Sequence, residues 1–231
     1  MNRKGYLFCK RCFDIVAALL GLIVSSPIWI VTILGIWFSD PGPIFFRARR
    51  IGLHNEEFAM WKFRSMRVPR TEAQKSEASF KADVDRIFPF GHVIRKLKID
   101  ELPQLLNVLD GSMSVVGPRP AAKDQVHVMR AGKYAVAAEV RPGLTSPAAL
   151  YDYLYGDAIE DLEDYERLVL PTRLELEAYY PAHMGVLYDL KLIWYTVICV
   201  LSMIVRKEPK WMLAELIELV AIGEEEQEVS V

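Results

Sequence analysis

Between Ile15 and Phe38 the sequence IVAALLGLIVSSPIWIVTILGIWF carries no charged residue. About 24 residues at about 1.5 Å each make roughly 36 Å of helix, more than the roughly 30 Å hydrocarbon core of a bilayer. Length alone predicts one transmembrane helix. The Ser25-Ser26-Pro27 step in its middle argues otherwise. Pro27 has no N–H, and its ring clashes with the carbonyl of Ile23, so the helix is expected to kink or break there. Serine hydroxyls can bond back to freed carbonyls such as those of Gly21 or Leu22, which makes a break tolerable in lipid. Both flanks are basic: Arg3, Lys4, Lys10 and Arg11 precede the run, and Arg47, Arg49 and Arg50 follow it. The positive-inside tendency places both ends in the cytoplasm. The expectation is a re-entrant helix broken at Ser26 and Pro27. The run is too long for a signal peptide, and no small-residue cleavage site follows it.

Hydrophobic residues make up 52% of the chain and charged residues 25%. That is apolar for a soluble domain of ordinary charge content, in keeping with part of the chain lying in a membrane. The formal net charge of −2 gives no electrostatic case for nucleic acid as a partner. Cys9 and Cys12 form a lone C-x-x-C, and Cys199 stands in an apolar run. A zinc site would need further ligands at suitable spacing. The expectation is reduced thiols facing the cytoplasm.

The densest chemistry lies between Arg95 and Pro120, RKLKIDELPQLLNVLDGSMSVVGPRP. Leu102, Leu105, Leu106 and Leu109 recur at helical spacing, with Pro103 in the first turn. Asp100 and Glu101 would then sit at a helix N-terminus, where the dipole favours negative charge. Asp100 as a simple N-cap is the plain alternative. It does not account for Arg95 before the pair or for Gly117-Pro118-Arg119-Pro120 after it. Carboxylates hold Mg²⁺ and arginine forks hold phosphate oxygens, so the set suggests a metal-plus-phosphate site. Spacing alone does not rank Asp100 above Glu101.

The run IDELPQLLNVLDGSMSVVGPRP resembles the signature of the bacterial sugar transferases, the monotopic polyprenyl-phosphate phosphoglycosyl transferases. Their pattern is close to R-x-x-x-L-D-E-L-P-Q followed by G-D-M-S-x-V-G-P-R-P. Ile99 stands for a usual Leu and Ser112 for a usual Asp. Upstream, Lys62, Arg64, Ser65 and Met66 match a K-F-R-S-M segment, while Ala48 replaces a usual Gln. Arg86, Gly91 and Arg95 resemble the approach to the acidic pair. Arg141 to Ser146 resembles P-G-I-T-G, with Leu144 for Ile, Ser146 for the second Gly and no following Gln. Near the end, Asp189-Leu190 and Thr196-Val197 fit the family's D-L…T-V.

The resemblance implies transfer of a sugar-1-phosphate from a UDP-sugar to polyprenyl (undecaprenyl) phosphate, releasing UMP, with Mg²⁺ as cofactor. It implies Asp100 as nucleophile and an aspartyl-phosphosugar intermediate, with Glu101 and Asp100 on the metal. Lys62, Arg64, Arg95 and Arg119 are the expected substrate-binding residues. The expected location is the cytoplasmic face of the bacterial inner membrane, monotopic and in contact with lipid. A second copy of the chain is one candidate partner. The competing class, a non-catalytic membrane adaptor of a glycan assembly complex, explains the apolar segments but not the acidic pair with GPRP.

Elsewhere the reading is plainer. Asp40-Pro41-Gly42-Pro43 ends the apolar run. Ile44 to Met66 begins as an apolar–basic strand with Gly52 and Asn55 at a turn. Its basic and aromatic residues suit either anionic lipid or a nucleotide diphosphate. Val68 to Asp85 reads as a surface helix or loop, and His92 as a surface or packing residue. The segment after Pro120 reads as a helix with a charged face, and the acidic stretch from Tyr151 to Tyr180 as solvated. Leu192 to Val205 is about 14 uncharged residues, short for a span, and reads as an in-plane or core helix. WMLAELIELVAI reads as an amphipathic helix, with Glu224 to Glu228 frayed. The expected fold is mixed and mostly α: a compact α/β-type catalytic domain on the membrane surface, with the re-entrant helix and in-plane amphipathic helices. The expected boundaries are 1–40 for the membrane helix, 41–206 for the catalytic domain and 207–231 for the tail.

Overall fold

The computed structural model describes residues 3–67, 86–159, 161–205 and 209–229. The Val68 to Asp85 segment lies outside them. The fold is mostly helical with small sheets. A long helix α1 (Arg3–Ser39) leads into a hairpin of β1 (Phe45–Ile51) and β2 (Glu57–Phe63), closed by a 3-10 turn at Leu53–Asn55. Short helices α2 (Pro89–Lys96) and α3 (Gln104–Asp110) follow, then β3 (Ser114–Val116) and β4 (Ala121–Ala122). After α4 (Val126–Met129), strand β5 (Gly143–Thr145) opens a helical half. That half comprises α5 (Pro147–Leu154), α6 (Leu162–Leu168), α7 (Leu170–His183), α8 (Val186–Val205) and α9 (Lys210–Val229).

The sequence expects α1 to kink or break at Ser26 and Pro27; the helix does not break there but runs on with Pro27 inside it. The carbonyl that Pro27 cannot serve is that of Ile23, four residues back. The Ser26 hydroxyl donates to it at 2.8 Å, so the orphan acceptor is satisfied without a break. The carbonyl involved is Ile23, not Gly21 or Leu22. Along α1, Tyr6, Asp14, Ala18, Ser25, Thr32 and Ile36 are buried. Their spacing of four, seven and eight residues is one helical stripe. The opposite surface, including Phe8, Leu20, Val24, Ile30, Val31 and Phe38, is apolar and exposed. Helix α1 thus packs on the domain through one stripe and leaves its other faces apolar and exposed.

The buried stripe is anchored along its length. Tyr6 and Lys10 donate to Asp189 of α8 at 2.8 and 2.7 Å. Arg11 donates to the carbonyls of Val108 and Leu109, the free end of α3, at 2.6 and 3.0 Å. Asp14 accepts from the Ser114 hydroxyl and the Val115 N–H. At the far end, Ile36 packs with Phe63, Phe88 and Ile94. Arg64 closes on the Asp40 carboxylate and on the carbonyls of Asp40 and Pro43.

The strand and the turn at Gly52 and Asn55 form as expected, and the segment after them adds a second strand that closes a hairpin, with Phe45 opposite Phe63 and Ile51 opposite Glu57; β4 adds to its β1 edge. A separate parallel pair joins β3 to β5, Ser114 opposite Gly143 and Val116 opposite Thr145. Just past β3, Gly117 and Gly143 run backbone to backbone. A Cβ on either would overlap main-chain atoms of the other segment. This close crossing needs glycine on both sides.

Three expectations change. The segment after Pro120 is not one helix: β4, α4 and a 3-10 stretch at Gly132–Glu139 share it, and Gly132 has φ 52°. Helix α8 runs the full Val186–Val205, longer than the uncharged part from Leu192 that reads as short for a span. By length and composition it and α1 are both long and apolar enough to cross a membrane. The tail helix α9 continues to Val229, through the stretch expected to fray.

Candidate active site

A polar cleft of about 1050 Å³ opens between the hairpin, the segment around Asp100 and the helical half. Asp100 and Glu101 sit in a 3-10 turn, Ile99–Glu101, ahead of α3 rather than at its N-terminus. Neither caps α3, whose N-cap is Pro103 with no side-chain bond. Lys98 makes the turn possible by adopting the left-handed conformation, φ 55° and ψ 19°. A non-glycine residue held there is a strained position of the kind that gathers at functional sites. On either side Ile99 and Leu102 pack into the core, which buries Asp100.

Lys62, on β2, reaches across to Glu101 Oε1 at 3.0 Å. The Tyr153 hydroxyl donates to Glu101 Oε2 at 3.3 Å, and Arg119 Nη2 lies 3.8 Å from Oε1. Burial would raise the Glu101 carboxyl, but Lys62, Arg119 and Lys98 outweigh it and hold Glu101 well below the usual carboxylate range. A charge pair near 4 Å is worth about 4 kcal/mol at the effective dielectric of such a site, so two cations offset a burial cost of several kcal/mol. Asp100 goes the other way. Burial, then the adjacent Glu101, raise it, and Lys62, Arg95 and Lys98 only partly compensate.

Arg119 arrives on the GPRP segment that leaves β3. Its own N–H donates to Glu177 Oε2 of α7 at 2.8 Å. Its guanidinium lies over the Tyr153 ring, 5.6 Å from the centroid, and 4.0 Å from Asp152 Oδ2. Asp152 in turn accepts from Tyr165 at 2.8 Å and faces Arg173 Nε at 3.3 Å. Arg50, Arg119 and Arg173 thus share one end of the cleft, and their mutual repulsion, after burial, lowers Arg50. Behind them Arg130 keeps its Nε and Nη1 buried without a hydrogen-bond partner. Counting Lys62, Arg95 and Lys98 as well, the cleft holds more cations than Asp100, Glu101, Asp152 and Asp157 can neutralise. Such a lining fits a multiply charged anion.

Of the residues singled out in the sequence, Lys62, Arg95, Asp100, Glu101 and Arg119 all line this cleft. Arg64 touches its wall, but its guanidinium is spent on Asp40 and Pro43. Those contacts fasten the end of α1. Arg50, Lys98, Asp152, Tyr153 and Arg173 are additions. Arg50 belongs to the basic run before Gly52, so a signal existed. Asp152 and Tyr153 stand in the stretch read as solvated acid, and nothing local marks them. Elsewhere in that stretch Asp157, Asp161 and Glu163 are exposed as expected. Ser146, where the motif departs, is fully buried and caps α5 by accepting from the Ala149 N–H at 2.9 Å.

Among the described residues no group of three or more His, Cys, Asp or Glu could hold a metal ion. That does not exclude Mg²⁺, which commonly takes one or two carboxylates and completes its shell with water and substrate phosphate. Adjacent hard oxygen donors facing a phosphate-sized cationic cleft fit that mode.

The bacterial sugar transferase family matches residues 5–203. Over 192 residues, 81% of this chain, it is 35% identical to the UDP-glucose:undecaprenyl-phosphate glucose-1-phosphate transferase of Escherichia coli K12. Over 203 residues, 85% of this chain, it is 36% identical to the UDP-N-acetylgalactosamine-undecaprenyl-phosphate N-acetylgalactosaminephosphotransferase of Aeromonas hydrophila. The chain spans only 39% and 44% of those two proteins. It is also 35% identical to the uncharacterized sugar transferase EpsL of Bacillus subtilis, covering 83% of this chain and 86% of that one.

Proposed function

The chain belongs to the bacterial sugar transferase family, and from that premise we propose that it moves a sugar-1-phosphate from a UDP-sugar to polyprenyl phosphate, releasing UMP. The observation that carries the reading is the division of labour between neighbours. Glu101 is locked ionised by Lys62 and Arg119, while buried Asp100 has no direct ion pair among the described residues. A carboxylate without a close cation is the better nucleophile, and this ranks Asp100 above Glu101.

In the proposed double displacement an Asp100 oxygen forms a bond to the β-phosphorus of the UDP-sugar. The bond from that phosphorus to the bridging oxygen breaks, and its electron pair leaves on UMP. Polyprenyl phosphate then attacks the same phosphorus, the aspartyl oxygen leaves, and Asp100 is restored as a carboxylate. Lys62 and Arg119 spread the negative charge on the non-bridging oxygens, and Arg50 and Arg173 take the departing nucleotide phosphate. Glu101, with Asp100 beside it, would hold Mg²⁺ against the diphosphate, where the ion supplies charge neutralisation.

The same reading sets the chain at the cytoplasmic face of the inner membrane with both ends of α1 on one side. Tyr6 and Lys10 fasten one end to α8, and Arg64 fastens the other through Asp40. A helix tied at both ends to one globular unit lies along it and turns its exposed apolar face to lipid. The test is UMP release across a panel of UDP-sugars, with and without polyprenyl phosphate and Mg²⁺. Sustained turnover that needs both, with appearance of a lipid diphosphosugar, is the expected result; without the lipid, UMP release stops at about one equivalent per enzyme. Release by no UDP-sugar would overturn the reading.

A further inference from the structure

A second opening lies beside the charged cleft and has the opposite character. It is a groove of about 330 Å³ between the β3–β5 pair and one face of α8. Val115 and Leu144 line its floor, with Val197 and Val200 on the α8 side. Two threonines, Thr145 and Thr196, also line it, yet they add no free polar group. Their hydroxyls bond to each other at 2.6 Å, and Thr196 donates onward to the Leu192 carbonyl at 2.8 Å. What they show the groove is methyl. The outer rim is the exposed apolar face of α8, with Trp194, Leu201 and Val205.

The groove and the charged cleft are neighbours that share one lining residue. Leu144 lines both, and Gly143 beside it lines the cleft. A ligand seated across Leu144 would have an anionic head among the cations and an aliphatic tail against α8. Resting on the reading above, we propose that this groove holds the first isoprene units of the polyprenyl phosphate acceptor, entering from the lipid-facing side of α8. A diphosphonucleotide has no apolar part to place there. An acyl chain of bulk phospholipid fits the lining equally well, but its phosphodiester carries one negative charge and an ester cap, so the cleft cations favour the more highly charged phosphomonoester of the polyprenyl phosphate.

Two measurements test this. The first compares Val197→Trp, which fills the groove from a half-exposed position, with Leu190→Trp on exposed α8 surface away from it. Val197→Trp is expected to raise the apparent KM for polyprenyl phosphate at least about tenfold, the loss from about two unburied methylenes. Its KM for the UDP-sugar stays unchanged, and Leu190→Trp behaves as wild type. An active Val197→Trp enzyme with an unaltered lipid KM overturns the groove assignment and leaves the activity standing. Wild type inactive on every UDP-sugar instead sinks the reading beneath it. The second needs no turnover. A diazirine-bearing isoprenyl phosphate is photolysed with wild type in detergent micelles, and the labelled peptides are mapped. Label on Leu144–Thr145 or on residues 193–201, displaced by unlabelled polyprenyl phosphate but not by phosphatidylglycerol, supports the proposal. Label elsewhere, or displacement by phosphatidylglycerol alone, overturns it.

Discussion

Lys62 Nζ sits 3.0 Å from Glu101 Oε1, so the strand-borne lysine pairs directly with the second carboxylate and reaches the first only through its field. Two adjacent acids in sequence therefore differ in kind. Glu101 is held ionised, and the buried Asp100 is the carboxylate proposed to react. Asp100→Asn should drop UMP release by about three orders of magnitude or more, with thermal unfolding within a few degrees of wild type. Glu101→Gln should instead weaken the Mg²⁺ titration along with rate. Near-normal release by Asp100→Asn would remove it as nucleophile.

The same contact predicts a pH effect. Lys62 is the strongest of the cations that lower Asp100. Without it the Asp100 carboxyl holds its proton to higher pH, and attack needs the carboxylate. In Lys62→Gln the acid limb of the UMP-release profile should move to higher pH, and raising the pH should recover part of the lost rate. A limb that stays put or moves down would show that another group sets it.

Much of this was legible in the sequence, and the boundary is physical. The acidic pair, Lys62, Arg95 and Arg119 were found because motif residues cluster along the chain and the fold brings them together. The turn at Gly52 and Asn55 was found from its residue types, but the pairing of β1 with β2 was not. Asp152, Tyr153 and Arg173 were not, because they reach the cleft only through the packing of α5 and α7, which no local pattern reports. The pairing of Arg64 with Asp40 was not legible either, because a basic residue in such a motif looks the same whether it faces a ligand or a carboxylate of its own chain. The break at Pro27 was overcalled. The proline penalty was counted, but the Ser26 hydroxyl that answers it at Ile23 was assigned to other carbonyls.

Glu177 is fully buried behind Arg119 and faces Arg130 and Arg173. Glu177→Ala strands those charges, which costs about 3–5 kcal/mol and should lower Tm by roughly 6–20 °C. Burial raises the Glu177 carboxyl despite the arginines around it. The folded state therefore holds that proton more tightly than the unfolded one, and stability falls as pH rises above the ordinary value of 4.5. Glu177→Gln, which keeps the acceptor for the Arg119 N–H, should gain on wild type in Tm from pH 4 upward. A gap that narrows over that range would contradict the direction.

Gly143→Ala drives a methyl into the main chain of Gly117, with no flexible side chain to yield. Overpacking of this kind costs about 1–3 kcal/mol, often more against backbone. The expected result is a Tm lower by roughly 2–12 °C, and a loss of rate larger than stability explains, since Arg119 follows Gly117 by two positions. Wild-type rate in a folded Gly143→Ala protein would mean the crossing does not position Arg119.

Membrane topology gives the last prediction. Restoring an N–H at Pro27 removes the need for the Ser26 hydroxyl, yet the anchors at both ends of α1 remain. Those anchors are several charged or buried hydrogen bonds, at Asp189, Val108, Leu109, Ser114 and Asp40. Bonds to charged groups are worth about 1.5–3 kcal/mol each, so together they exceed what one proline contributes to helix geometry, about 3 kcal/mol. Pro27→Ala alone should therefore leave the N-terminus on its original side, while Pro27→Ala with Lys10→Ala and Arg11→Ala, which also strips positive charge from that flank, should release part of the population to span. The measurement uses a cysteine at Asn2 and, separately, one at Asn55 in the hairpin turn, both in a background lacking Cys9, Cys12 and Cys199. An impermeant maleimide should reach both only from the cytoplasmic side in wild type and in Pro27→Ala. In the triple variant a fraction of the Asn2 cysteine should become reactive from outside while the Asn55 cysteine does not. If wild type already labels at position 2 from outside and at position 55 from inside, α1 crosses the bilayer, and its anchors to the domain cannot all hold in the membrane.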